Sequence, residues 1–159
     1  MKKIYTTLFA LMATLSMHAQ GWPANYNGVM LQGFYWDSYQ ASKWSNMEAQ
    51  ADDLAPYFSL VWIPQSANCG SGNSMGYNDL YWFSNYNSSF GNEAQLRSMI
   101  KTFKSKGIGT IADVVINHRG NLTSWTDFPV ETYKGVTYKM NSTDICSDDD
   151  KGKTLAWAN

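Results

Sequence analysis

The sequence predicts an α/β fold in which parallel strands are covered by helices. Short apolar runs alternate along the chain with segments of helical periodicity. The apolar runs do not alternate in polarity, as strands with one solvent-exposed face would. The composition agrees, because 44% hydrophobic and 16% charged residues are typical of a globular chain and not of a disordered or coiled-coil one.

The first predicted elements are a strand, a helix and a second strand. Residues 29–36 form an apolar run with a glycine at a close-packed point, which predicts the first strand. Apolar residues recur at helical spacing over residues 44–55, and Pro56 ends this helix. Leu60–Ile63, closed by Pro64, predicts the second strand.

A long loop and a further helix–strand pair follow. Residues 65–91 are rich in Gly, Ser, Asn and Tyr and have no helical period, and loops of this size are usually functional or disordered. Asn92 and Gln95 have the spacing of a capping box, and Gly107 ends the predicted helix. Its apolar stripe comprises Leu96, Met99, Ile100 and Phe103. Residues 108–116 predict the third strand.

This order of elements fits a doubly wound sheet or a (β/α)8 TIM barrel. A doubly wound nucleotide-binding sheet normally carries a glycine-rich turn after its first strand, and residues 37–40 contain no glycine. The barrel is therefore favoured, with the first three β/α units and the start of an excursion after strand 3 present. Barrel chemistry lies at the carboxyl ends of the strands, near Trp36, residues 64–81, and Ile116 onward.

The first 19 residues predict a secretory signal peptide. Lys2 and Lys3 precede an apolar stretch over residues 4–17 that is short for a bilayer span, and Ala19 is the predicted cleavage position. An uncleaved anchor is the alternative. No second apolar run is long enough to span a membrane, so a secreted or periplasmic protein with no membrane association after signal removal is expected.

The net charge, the aromatic content and the cysteines indicate which kinds of partner and which covalent links the chain can have. Twelve Lys and Arg against 13 Asp and Glu give a net charge of −1, without the basic surplus that nucleic-acid binding requires. Aromatic residues make up 15% of the chain, and their flat faces can either fill a core or stack on a sugar. Cys69 and Cys146 can form a disulfide after export or remain independent thiols.

Four segments, in order, resemble the α-amylase family, glycoside hydrolase family 13. Residues 113–118, Asp-Val-Val-Ile-Asn-His, are similar to its first conserved segment at the end of strand 3. The other three segments resemble plant-type and related bacterial members: residues 31–38 their first strand, residues 61–64 with 76–77 their second strand and following loop, and residues 145–149 their third-strand excursion. The resemblance extends over residues 28–150.

The resemblance implies a set of substrate-binding residues. Tyr77 matches the tyrosine that stacks under the sugar at the cleavage subsite, His118 matches the histidine that binds the same sugar, and Trp36 is placed along the same pocket. Loop packing for Tyr77, a structural hydrogen bond for His118 and a core position for Trp36 are the alternatives. Asp113 matches a structural residue of the family and is not predicted to be a catalytic acid.

The resemblance also implies calcium as a structural cofactor. Asn117 matches a residue whose side-chain oxygen binds the ion, and Asp149 belongs to an acidic run similar to one that contributes to calcium sites. Hard oxygen donors are the ligands that calcium prefers. A turn-capping role for Asn117 and an exposed acidic turn at Asp149 are the alternatives.

We therefore interpret the chain as the amino-terminal fragment of a secreted α-amylase-type glycosidase. Residues 1–19 are the signal, residues 20–117 the amino-terminal part of the barrel, and residues 118–159 the start of an inserted domain. The resemblance implies that the nucleophile and the acid/base residue lie on strands 4 and 5, beyond Asn159, so no catalytic residue is expected within the chain. The fragment alone is predicted to be inactive and poorly soluble.

The predicted reaction is hydrolysis of internal α-1,4-glucosidic bonds of starch or related glucans with retention. Two alternatives stay open. One is a non-catalytic glycan-binding protein on the same scaffold, because fold alone does not establish chemistry. The other is a pullulanase-like or cyclodextrin-degrading member, because the Asp-x-x-x-Asn-His segment is shared widely within the family.

Overall fold

The computed structural model describes residues 26–70 and 72–145. The predicted signal peptide, Cys146 and Asp149 lie outside the described residues. The strands are β1 (Met30–Gln32), β2 (Leu60–Ile63), β3 (Gly109–Ala112), β4 (Glu131–Tyr133) and β5 (Val136–Tyr138). The helices are α1 (Trp44–Ala49), α2 (Ala51–Leu54) and α3 (Glu93–Ser105), followed near the end by a 3-10 turn over Ser142–Asp144.

Strands β1, β2 and β3 form a parallel sheet in that order. Leu31 pairs with Val61, which in turn pairs with Thr110. This arrangement confirms the prediction of parallel strands joined by helical crossovers. The described residues do not close a barrel, and the number of barrel units stays a prediction, as does the division into domains at residue 117.

Strands β1 and β3 are shorter than predicted. The sequence predicts strands over residues 29–36 and 108–116, whereas β1 ends at Gln32 and β3 at Ala112. Strand β2, their common neighbour, ends at Ile63, and Pro64, which follows it, has no N–H to donate to a ladder. The last bond on the β1 side is the one that Gly33 N–H donates to the Trp62 carbonyl oxygen, at 2.8 Å.

Helix α3 begins where the capping box predicts. The Asn92 side chain accepts the Gln95 backbone N–H at 3.0 Å, and the Gln95 side chain accepts the Asn92 N–H at 3.0 Å. Gly107 follows the helix with φ of +78°, as expected of a helix-terminating glycine. The prediction for Ile100 is wrong, because its side chain lies on the edge of the apolar stripe and is 38% exposed.

The predicted helix over residues 44–55 is interrupted at Gln50 and forms α1 and α2. Both pieces still contribute to the core, since Trp44, Met47 and Ala51 are buried. These residues pack with one face of the sheet and with α3, whose Met99 and Phe103 are completely buried. Gly33 is needed here, because a Cβ at this position would lie 2.9 Å from Val61 Cγ1.

Strands β4 and β5 form an antiparallel hairpin that was not predicted from the sequence. Lys134 and Gly135, which connect them, both have positive φ, as in a two-residue turn of type I′. The sequence does contain a hairpin signal, because alternating β-branched and aromatic residues flank a Lys-Gly pair.

None of the helices in residues 26–70 and 72–145 has both the length and the apolar content that a membrane-spanning helix needs.

Candidate functional site

Aromatic and polar side chains from three successive strand ends meet at the carboxyl edge of the sheet. Trp36 follows β1, Tyr77 lies in the loop after β2, and Asp113 and His118 follow β3. Parallel strands bring their carboxyl ends to a common edge, so residues far apart in sequence become neighbours here. The structure brings together the three residues that were predicted to bind substrate.

Tyr77 is at the centre of this group. Its hydroxyl donates to Asp113 Oδ2 at 3.1 Å, and its ring is stacked with that of Trp36, with centroids 6.2 Å apart and planes inclined by 20°. The pKa of Tyr77 is raised, mainly by burial and to a smaller extent by the neighbouring Asp113 carboxylate. The hydroxyl of Tyr77 therefore stays protonated at neutral pH. Trp36 is 69% exposed and is not part of the core.

Gly76 sets the path of the backbone immediately before Tyr77. Its φ is +98°, and a Cβ here would lie 2.5 Å from Gln65 Cβ. A larger residue would therefore push the loop away from the end of β2. The close approach keeps Tyr77 within reach of Trp36 and Asp113.

His118 links the end of β3 to the same loop. Its Nε2 lies 2.7 Å from the Tyr77 carbonyl oxygen. Because a carbonyl oxygen only accepts hydrogen bonds, Nε2 carries the proton in this contact. In a neutral ring, Nδ1 is then the acceptor, and the side chain is exposed at the edge of the sheet.

The predicted calcium ligands fit a metal site only in part. Asn117 is exposed and offers an amide oxygen, and it lines a cavity of about 260 Å³ together with Asp144. In the two described ranges, no group of three or more His, Cys, Asp or Glu residues could hold a metal ion. Asp149 is outside these ranges, so the described donors do not make a calcium site by themselves.

A buried ion pair beside the site was not predicted from the sequence. Arg119 Nη2 lies 2.6 Å from Glu131 Oε1, with both side chains almost completely buried. Arg119 also donates through Nε to the Leu80 carbonyl oxygen at 2.8 Å and through Nη2 to that of Pro129 at 3.1 Å. The ion pair between Arg119 and Glu131 therefore connects β4, the segment that follows β3, and the loop after β2.

Glu131 is held by main-chain groups as well as by the arginine. It accepts N–H bonds from Trp82, Phe83 and Ser84 at 2.8 to 3.0 Å. Burial opposes its ionisation, but these backbone N–H groups outweigh burial and lower the pKa of Glu131. Burial lowers the pKa of Arg119 while Glu131 raises it, and a guanidinium stays charged in either case.

Comparisons with known proteins match this chain to one family. The family model described as "Alpha amylase, catalytic domain" matches residues 63–144. The α-amylase of Bacillus licheniformis is 31% identical over 135 residues, covering 79% of this chain and 26% of that protein. Probable α-amylase 2 of Arabidopsis thaliana is 29% identical over 110 residues, covering 69% of this chain and 26% of that protein.

The matched family is one of glycoside hydrolases, and its catalytic domain implies a TIM barrel. This chain belongs to the α-amylase family, glycoside hydrolase family 13. It spans about a quarter of the length of the two curated relatives. Among solved structures, a trehalose-6-phosphate hydrolase of Bacillus licheniformis matches with a TM-score of 0.43 and 18% identity, over 48% of this chain and 14% of that one.

Proposed function

We propose that the protein containing this chain is a secreted glycosidase that hydrolyses internal α-1,4-glucosidic bonds of starch or a related glucan with retention. Residues 26–145 supply its glucosyl-binding groups. The observation that supports this best is the convergence of Trp36, Tyr77 and His118 at the carboxyl edge of the sheet. Membership of a glycoside hydrolase family supports a sugar-binding role for this edge, and two of the matching relatives are named as α-amylases.

Tyr77 provides an aromatic face for a glucosyl ring. The CH groups of a sugar pack on a flat aromatic ring, while its hydroxyl groups stay free for hydrogen bonds. The bond from the Tyr77 hydroxyl to Asp113 fixes the ring from its far end. Tyr77 therefore loses little conformational freedom when a glucosyl unit binds, which favours affinity.

His118 provides the polar contact to the same sugar. The Tyr77 carbonyl oxygen orients the imidazole through Nε2. A neutral ring held in this way presents Nδ1 as an acceptor for a sugar hydroxyl. A hydrogen bond that becomes stronger as charge develops on the sugar favours the transition state over the ground state.

Hydrolysis with retention also needs a nucleophilic carboxylate and an acid/base carboxyl group about 5 Å apart. In this proposal Asp113 is structural, because its Oδ2 already holds Tyr77. The two catalytic carboxyl groups are proposed to come from strands 4 and 5 of the barrel, and the chain alone is proposed to be inactive. Calcium, with Asn117 and Asp149 as ligands, belongs to the proposal as a structural ion and takes part in none of these steps.

Starch hydrolysis by the full-length product tests the proposal. The full-length product is the protein encoded by the complete reading frame that contains this chain. With calcium present, we expect it to release reducing ends from soluble starch, with an early loss of iodine staining as internal bonds break. Absence of reducing sugar together with retained glucan binding would identify a non-catalytic glycan-binding protein. Cleavage of pullulan or cyclodextrin instead of starch would identify one of the other α-glucan hydrolases.

A further inference from the structure

A cavity of about 260 Å³ adjoins the candidate site and shares His118 with it. Its walls combine aromatic side chains with amide groups, a combination that is typical of small-molecule sites. The residues that supply them are Trp82, Trp125, Phe128, Asn117 and Asn121. The volume is close to the lower end of the range for such sites, which suits one sugar unit.

Trp125 forms a part of this wall that is open to solvent. Its side chain is 44% exposed, whereas Trp82 and Phe128 are half-buried. An exposed indole can cover the CH face of a sugar, and the removal of its flat ring from water is favourable. The Asn121 amide, which lines the same cavity, can donate to sugar hydroxyl groups and accept from them. The lining therefore offers both kinds of contact that a glucosyl unit makes.

Asp127 holds the loop that carries Trp125. Its carboxylate accepts the backbone N–H groups of Leu122, Thr123 and Ser124 at 2.8 to 3.1 Å, and also the Thr123 hydroxyl. The pKa of Asp127 is lowered to about 2, first by the Thr123 hydroxyl and then by these N–H groups, so the carboxylate is ionised at neutral pH. Residues 122–127 are thus fixed from within, and Trp125 needs little ordering when a ligand binds.

The position of the cavity indicates which ligand is within reach. His118 bonds to the Tyr77 carbonyl oxygen through Nε2 and also lines the cavity. A glucosyl unit held by Tyr77 and His118 therefore has the cavity beside it. Because the units of a glucan are covalently joined, the next unit of the same chain lies at the cavity.

We propose that this cavity is a further glucosyl-binding subsite, in which Trp125 packs on the sugar unit next to the one at Tyr77 and His118. The Asn121 amide bonds to a hydroxyl group of the same unit, and Asp127 is the positioning residue for Trp125. The subsite rests on the proposed function. It adds a contact that only substrates of more than one sugar unit can make.

A comparison of a long substrate with a one-unit substrate tests the subsite. Maltoheptaose can fill the candidate site and the cavity together, whereas α-glucosyl fluoride, a single glucosyl unit with its own leaving group, cannot. Trp125→Leu keeps an apolar side chain but has no flat ring. In the full-length product with calcium present, we expect it to lower kcat/KM for maltoheptaose about tenfold, the scale of one aromatic contact. The kcat/KM for α-glucosyl fluoride should stay within about twofold of the native value.

Two control variants accompany this comparison. Trp125→Phe keeps a flat ring and should lose less than about threefold with maltoheptaose. Tyr57→Ala removes an exposed aromatic residue that precedes β2 and should change neither kcat/KM value. If α-glucosyl fluoride is not a substrate, an unchanged urea midpoint for Trp125→Leu takes its place as evidence of an intact fold.

Equal losses with both substrates in Trp125→Leu would overturn the subsite, because they would show that the indole only packs the loop. Native kcat/KM for maltoheptaose in this variant would overturn it as well. A native protein that hydrolyses neither substrate would instead contradict the proposed function, and the subsite would fail with it.

Asp127→Ala tests the positioning role. We expect kcat/KM for maltoheptaose to fall about three- to fivefold, with α-glucosyl fluoride unchanged, because the loop no longer holds Trp125 in place. Asp127→Asn keeps an acceptor oxygen for the N–H groups and should recover most of this loss. Asp53→Ala, which removes an exposed carboxylate on α2, is the matched control. A native ratio of the two kcat/KM values in Asp127→Ala would overturn the positioning role.

Discussion

Replacing Arg119 with alanine is expected to lower the free energy of unfolding of the full-length product by about 3–5 kcal/mol. The substitution leaves Glu131 buried without its countercharge. In the native protein, the backbone N–H groups of Trp82, Phe83 and Ser84 favour the ionised form of this carboxylate and lower its pKa. Urea unfolding of native and variant protein measures the difference.

The exposed pair between Arg97 and Glu93 on α3 is the matched control. Its nitrogen and oxygen atoms are 2.7 Å apart, but both side chains face solvent, so Arg97→Ala should cost less than about 1 kcal/mol. If Arg119→Ala does not fold, Arg119→Lys, which keeps a positive charge facing Glu131, should fold and lose less stability than Arg119→Ala. A loss of under about 1 kcal/mol in Arg119→Ala would contradict the role of this pair.

Replacing His118 with alanine is expected to lower kcat/KM for soluble starch by about 10²- to 10³-fold, the usual effect of removing one group that stabilises transition-state charge. The imidazole is exposed and is held by the Tyr77 carbonyl oxygen, so its removal should cost little stability. Initial rates of reducing-sugar release measure the effect, and an unfolding curve separates it from misfolding.

Tyr57→Ala provides the control for this experiment. Tyr57 is an exposed aromatic residue that precedes β2 and so lies at the amino edge of the sheet, away from the candidate site. Its removal should leave kcat/KM within about twofold of the native value. A His118→Ala protein with native kcat/KM would show that the histidine is only a structural hydrogen-bonding residue.

The elements predicted best are those whose signals are local. The capping box at Asn92 and the proline that ends β2 depend on neighbours in sequence, and both behave as predicted. The ends of β1 and β3 depend instead on a partner strand, since a ladder stops where its neighbour no longer offers N–H groups. For this reason apolar runs over residues 29–36 and 108–116 overestimate both strands.

The candidate site was predictable for a similar reason. Tyr77 and His118 lie in short motifs that resemble those of a known family, and parallel topology then brings them to one edge. The pairing of Arg119 with Glu131 is long-range, and a glutamate between Val130 and Thr132 gives no sign that its side chain is buried. Asp79 likewise lies in a polar loop, and its neighbours in sequence give no sign that its side chain is buried.

The location of a bound maltooligosaccharide tests the central claim most directly. In a crystal structure of the full-length product soaked with maltoheptaose, we expect a glucosyl ring packed on Tyr77 and hydrogen-bonded to His118, with the chain passing Trp36. A fully occupied oligosaccharide elsewhere, with none at this edge of the sheet, would contradict the account.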